Sequence, residues 1–206
     1  MKKSPMLFSR KEIKLNFEKY GHDENVLFIT GIFGAGKTYL GKHFAETLGA
    51  IHINQDWLGW SECYDCETSK FFLAMFRALY PESIKCYDKQ SPHYDNLRIE
   101  RRKYRPLFDK MIVDYAKENT DKLFVLEGSD LYYHSDISIM IGKPLIIKRT
   151  SVFHAMCRMI KRRGKGEGNW WTRFWNIQRL HKRLGLSLRT ERKRLNKFIK
   201  AITAKK

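Results

Sequence analysis

The sequence predicts an α/β domain of three layers, a parallel sheet of about five strands with helices on both faces, continued by a basic helical extension. Three observations predict it. Short apolar runs at 26–30, 50–54, 122–127 and 144–148 have strand length and alternate with segments of helical periodicity. The first run passes through a glycine-rich turn directly into a helical pattern. Finally, 206 residues, 43% of them hydrophobic, suffice for one domain with a substantial core. The whole chain 1–206 is read as that domain, with a core over about 22–168, a helical insertion over about 70–121 and the basic extension over about 169–206.

Taken in order, Ser9-x-x-Glu12 forms a capping box, and Ile13, Phe17 and Tyr20 follow at helical spacing, so a short helix is expected before Gly21. Val26–Thr30 is a buried strand. Thr38 to Leu48 is a helix closed by Gly49. Ala50–Asn54 is a second strand ending in Asn54-Gln55-Asp56. Over 70–121 helical periodicity returns, with Phe71, Phe72, Met75 and Leu79 and later Leu107, Met111, Ile112 and Tyr115. The run at 122–127 ends in Glu127-Gly128, with Asp130 close behind, and Pro144–Lys148 is the fourth strand. A helix over Val152 to Arg163 leads to Gly164-Lys-Gly-Glu-Gly168. Ser187 to Ile202 carries Leu188, Leu195, Ile199 and Ile202 on one face, suited to packing on the sheet or to lying along nucleic acid or an acidic surface.

Charge is unevenly placed. Of the net +18, residues 1–150 hold 23 Lys/Arg against 20 Asp/Glu, whereas residues 151–206 hold 17 against 2, Glu167 and Glu191. Such a field gathers polyanions, so nucleic acid, nucleotides and acidic membrane are the candidate partners. In Trp170-Trp-Thr-Arg-Phe-Trp175, with Arg173, Arg179, Lys182 and Arg183, aromatics interleave with cations, a mixture that stacks bases or builds a core. The hydrophobic share excludes a disordered chain, a collagen and a coiled-coil rod. No apolar run reaches the roughly 18 residues of a membrane span, and Met1-Lys2-Lys3-Ser4-Pro5 leads into charged sequence; a cytoplasmic protein without a transmembrane segment is expected. Cys63, Cys66, Cys86 and Cys157 are then expected as thiols, since Cys63-Tyr-Asp-Cys66 has no second ligand pair to complete a zinc site.

The chemistry centres on Gly31-Ile-Phe-Gly34-Ala35-Gly36-Lys37-Thr38, a full G-x-x-x-x-G-K-[ST] between strand and helix. Glycines there let successive N–H groups converge on a phosphate, Lys37 reaches the β/γ oxygens and the Thr38 hydroxyl ligates Mg²⁺. The expected ATP-binding residues are Gly31, Gly34, Ala35, Gly36, Lys37, Thr38 and Tyr39. Asp56 follows the second strand at the edge where open α/β sheets bind ligands, placed to take a proton from an attacking hydroxyl or to hold the acceptor. Glu127 ends the next strand, where a carboxylate positions the Mg²⁺ shell, so Thr38 and Glu127 are the metal candidates.

The motif at 31–38, His52-Ile-Asn-Gln-Asp56-Trp-Leu-Gly59-Trp60 and Cys66-Glu-Thr68 together resemble the kinase domain of polynucleotide 5′-hydroxyl kinases over about residues 26–70. The resemblance implies a P-loop NTPase fold, ATP and Mg²⁺ as cofactors, and γ-phosphoryl transfer to the 5′-hydroxyl of DNA or RNA with Asp56 as general base. Two features depart from that family. It goes quickly to its third strand, whereas here 70–121 intervenes, an insertion like those that fold over the acceptor in nucleotide kinases and offer it arginines, here Arg98, Arg101, Arg102 and Arg105. Glu127-Gly128 instead resembles small-molecule P-loop kinases. The glycine-rich 164–168 after an arginine-bearing helix resembles the LID of P-loop kinases, in which Arg158 and Arg162, one turn apart, and neighbouring Arg163 would meet the transferred phosphate. The expected activity is therefore that of a kinase acting on a nucleic-acid 5′-hydroxyl. A small nucleoside, nucleotide or metabolite acceptor, and a nucleic-acid-binding ATPase with no acceptor, stay open as alternatives.

Overall fold

The computed structural model describes residues 6–7, 25–55, 58, 67–87, 98–132, 137–140, 143–148, 150–163 and 188–202. The helix expected at 9–20, Asp56, the Cys63/Cys66 pair, the glycines of 164–168 and the Trp-rich 170–175 lie outside these residues, as do the side chains of Arg98, Arg101, Arg102, Asp130, Arg162 and Arg163.

Four strands form a parallel sheet: β2 (Val26–Thr30), β3 (Ile51–Asn54), β4 (Phe124–Glu127) and β5 (Pro144–Ile147), in the order β5-β2-β4-β3. A two-residue strand, β1 (Met6–Leu7), pairs in parallel with Pro144 and Leu145 on the outer side of β5. The four main strands lie where the apolar runs placed them, with ends trimmed. Ala50 closes the preceding helix by donating its N–H to Ala45, and Lys122 N–H closes a turn onto Asn119. Between strands run α1 (Lys37–Leu48), α2 (Glu67–Leu79), α3 (Ser83–Tyr87) and α4 (Arg98–Glu118); after β5 come α5 (Val152–Arg163) and a last helix, α6, over 188–202.

Strand alternation sorts the core onto two faces. Leu27, Ile29, Val125 and Ile146 meet Leu40 and Phe44 of α1. Val26, Phe28, Ile53, Phe124, Leu126 and Leu145 belong to the larger cluster with Phe72 and Phe76 of α2, Phe108 and Ile112 of α4, and Leu188, Leu195, Phe198 and Ile202 of α6. This is an α/β fold with helices flanking a parallel sheet. Edge-to-face rings connect its layers: Phe76 on Phe108 at 5.4 Å, Phe72 on Tyr115 at 5.4 Å, and Tyr115 on Phe124 at 5.9 Å.

The periodicity of 70–121 does produce helices, but the inward face of α2 is turned from the expected one. Phe72, Leu73 and Phe76 are buried, whereas Phe71 is 49% and Leu79 58% exposed. Leu79 is the last residue of α2, and Phe71 lies on the rim, its ring against Phe72 and Tyr115. The tail helix packs into the core through the face read from its sequence, with Phe198 added. Among the described cysteines Cys86 is buried and Cys157 exposed, and neither is in a disulfide. Among the described residues no helix is long and apolar enough to cross a membrane.

Candidate functional site

Parallel pairing in this register sets the strand ends on one edge: Ile29 stands opposite Glu127, Asn54 opposite Glu127, and Thr30 opposite Ile147. Hydrogen bonding continues one step beyond the strands. Gln55 N–H donates to the Glu127 carbonyl at 2.9 Å, Gly128 N–H to Ile29 at 3.1 Å, and Lys148 N–H to Thr30 at 2.7 Å. The chain therefore leaves each strand from a fixed point, at the carboxyl edge where open parallel sheets bind ligands.

The glycine loop 31–36 leaves β2 at that edge. Its Gly31 has no room for a side chain, because a Cβ would stand 2.5 Å from the Lys148 carbonyl oxygen. Gly36, at φ 86°, caps α1 with no side-chain acceptor, so the first amides of α1 face the loop. Lys37 is 8% exposed; its ammonium donates to the Ile32 carbonyl at 3.2 Å and lies 5.7 Å from the centre of the Phe33 ring. Thr38 is half-buried in the first turn, while Tyr39 is 73% exposed.

Glu127 is buried beside this turn. Its Oε1 accepts from Asn54 Nδ2 at 2.7 Å and lies 3.6 Å from His52 Nε2, a buried atom with no hydrogen-bond partner among the described residues. A Cβ on Gly41 would approach Glu127 Cγ to 3.4 Å. Gly41 and Thr38 are one turn apart on the same face of α1, so the carboxylate stands beside the face that carries the Thr38 hydroxyl.

Two distant elements reach the same loop. Arg158 of α5 donates through Nη1 to the carbonyls of Ala35 at 3.0 Å and Gly34 at 3.3 Å. Glu191 of α6, 8% exposed, accepts the Phe33 N–H on Oε2 at 3.0 Å, with the Tyr132 hydroxyl 3.5 Å from the same oxygen. Further along the edge, Gln55 Nε2 donates to both oxygens of the buried Asp109 at 2.6 Å, fastening α4 to the end of β3.

Of the residues expected from the sequence, Gly31, Gly34, Ala35, Gly36, Lys37, Thr38, Glu127 and Arg158 come together at this edge. Tyr39 stands on the outer side of α1, Arg105 is half-buried on α4, and Arg162 is one turn beyond Arg158 on α5. His52 and Asn54 lie in the segment that carries the resemblance but have no role assigned there, and Glu191, Asp109 and Lys148 are not reached by motif reasoning. The signal for Glu191 is its being one of two acids among 17 cations. That for Asp109 is a carboxylate between the apolar Phe108 and Met111.

A loop amide that already takes an anionic oxygen, a buried ammonium and a buried carboxylate make a donor set that suits a nucleoside triphosphate with Mg²⁺. Mg²⁺ is commonly held by one or two protein oxygens plus substrate phosphates, which asks only for Thr38 and Glu127; among the described residues no three His, Cys, Asp or Glu side chains form a cage. No protein-family model and no curated protein matches the chain.

Proposed function

We propose that the protein is an ATP- and Mg²⁺-dependent kinase of P-loop type that transfers the γ-phosphoryl group to a hydroxyl, with the 5′-hydroxyl of a nucleic acid as acceptor. The observation that carries the reading is the convergence on one loop: Lys37 inside it, Arg158 on its Gly34 and Ala35 carbonyls from a helix more than a hundred residues away, and Glu127 on the neighbouring strand.

The roles follow from charge and position. Amides from Gly34 to Thr38 would cradle the phosphates, and Lys37 would offset charge on the β and γ oxygens. Thr38 and Glu127 would hold Mg²⁺, which would supply Lewis-acid neutralisation of the triphosphate. Arg158, with Arg162, would meet charge developing on the transferred group. Asp56 would accept the proton of the acceptor hydroxyl as its oxygen bonds to the γ-phosphorus and the bond to the β-phosphate oxygen breaks, releasing ADP. Positioning and charge neutralisation account for most catalysis of this kind.

The packing of α2 and α4 beside β3, tightened by Gln55 and Asp109, favours a second reading, a small acceptor enclosed by the insertion. Incubation with γ-labelled ATP and two panels, 5′-hydroxyl oligonucleotides and free nucleosides or nucleotides, tests both. Labelled oligonucleotide that disappears in Lys37→Ala and Asp56→Asn is the expected result. Label on small acceptors alone selects the second reading, and free phosphate as sole product leaves an ATPase. Activity of Lys37→Ala equal to wild type overturns the site itself.

A further inference from the structure

Helix α6 has two faces with different chemistry. Leu188, Glu191, Leu195, Phe198 and Ile202 are buried, whereas Arg189, Arg192, Lys193, Asn196, Lys197 and Lys200 are exposed. Between α6 and the carboxyl end of β5 lies a pocket of about 360 Å³, whose wall includes Lys148, Arg192, Asn196 and Lys200 over a floor containing Ile32 and Leu195. Among the described residues that line it, three are cations and none is a carboxylate. Ile32 belongs to the glycine loop, so the pocket and the loop share a wall.

The row inside the pocket has a definite length. Arg192, Asn196 and Lys200 recur every four residues, so they form a stripe about 12 Å long on α6. Arg189, Lys193 and Lys197 form a second stripe beside it at the same spacing. The opposite face of α6 is in the core, and Glu191 bonds the loop amide of Phe33, so the first stripe is fixed relative to the loop.

We propose that this pocket binds the phosphate backbone of a single-stranded nucleic acid, leading its 5′ end toward the glycine loop. A single phosphate contacts only part of such a stripe; successive phosphates use its whole length and reach the second row. The apolar floor suits a sugar or base face, as in strand-binding grooves that combine cations with apolar platforms. The inference deepens the kinase reading by giving the acceptor a path, and it rests on that reading for the direction of the strand.

Fluorescence anisotropy with a labelled 5′-hydroxyl single strand over a salt series tests it, using wild type, Arg192→Gln/Lys200→Gln, and Lys117→Gln/Lys122→Gln. The last pair removes the same charge near the amino ends of the strands. All four positions are exposed, so equal melting temperatures by circular dichroism are expected. In Arg192→Gln/Lys200→Gln the slope of log K against log salt should fall in magnitude by about 1.4, with affinity at ~0.1 M salt down by about tenfold or more; Lys117→Gln/Lys122→Gln should change neither much, and both should bind ATP like wild type. An unchanged slope overturns the proposal. Equal losses in both variants overturn it in favour of net charge, loss of ATP binding with strand binding makes the pocket part of the ATP site, and preferential binding of anionic phospholipid vesicles through Arg192 and Lys200 makes it a membrane surface. Strand binding that depends on the pocket without any transfer of label keeps the pocket and removes the kinase; transfer with a variant that binds normally does the reverse.

Discussion

Glu127 and Glu191 are both buried carboxylates at one edge of the sheet, yet they differ in what their loss should do. Glu127 bonds Asn54 and faces the Thr38 side of α1. Glu127→Gln keeps the volume and an oxygen for Asn54 but removes the charge proposed to hold Mg²⁺. Turnover is expected to fall at least ~100-fold, with a higher Mg²⁺ requirement and little change in melting temperature; normal turnover would take Glu127 out of the site. Glu191 holds the Phe33 amide, so Glu191→Ala leaves that N–H without its acceptor and should cost about 1–3 kcal/mol in denaturant unfolding, with Glu191→Gln distinctly milder because an oxygen remains. Equal losses would show that the bond to Phe33 is not what Glu191 contributes. Lys37 and Glu127 were legible in the sequence because a motif and a strand end fix them locally. Glu191 was not, because its partner lies 158 residues away and no spacing rule connects them.

Among the elements, the four main strands lie within one or two residues of the apolar runs, since a strand buried on both faces is a short unbroken apolar run whatever packs on it, whereas the two-residue β1 at Met6–Leu7 is too short to leave such a run. Helix faces were harder. The sequence of α2 offers Phe71, Phe72, Leu73, Met75, Phe76 and Leu79, more apolar residues than one face holds, and only the facing rings of Phe108 and Tyr115 decide that Phe72 and Phe76 turn inward. The two kinds of position make opposite predictions. Phe76→Ala should lose about 3–5 kcal/mol in chemical denaturation, because Phe76 is 1% exposed and rings on three sides cannot collapse onto the space. Phe71→Ala, on the rim, should lose distinctly less. Similar values for both would mean that α2 is rotated in solution.

At the scale of the molecule, the described helices of the basic quarter, α5 and α6, are part of the domain. The sequence marked residues 169–206 as an extension on charge, and charge alone cannot tell a detached tail from a helix with one buried stripe. Leu188, Leu195, Phe198 and Ile202 enter the core, and burying four such side chains is worth roughly 6–12 kcal/mol, comparable with the whole net stability of a domain. A chain ending before Leu188 is therefore expected to lose its cooperative thermal transition, as followed by circular dichroism; a native-like melt from that truncated chain would show the helix to be dispensable. The contact between Glu191 and Phe33 also has a consequence in time. A ribosome makes residue 33 early and residue 191 late, and β2 itself waits for β4 and β5, since Val26 pairs with Phe124 and Phe28 with Leu145. Such non-local pairing is slow to form. The nascent chain thus carries a glycine motif long before it carries a finished loop, because the carboxylate that holds the Phe33 amide is made 158 residues later.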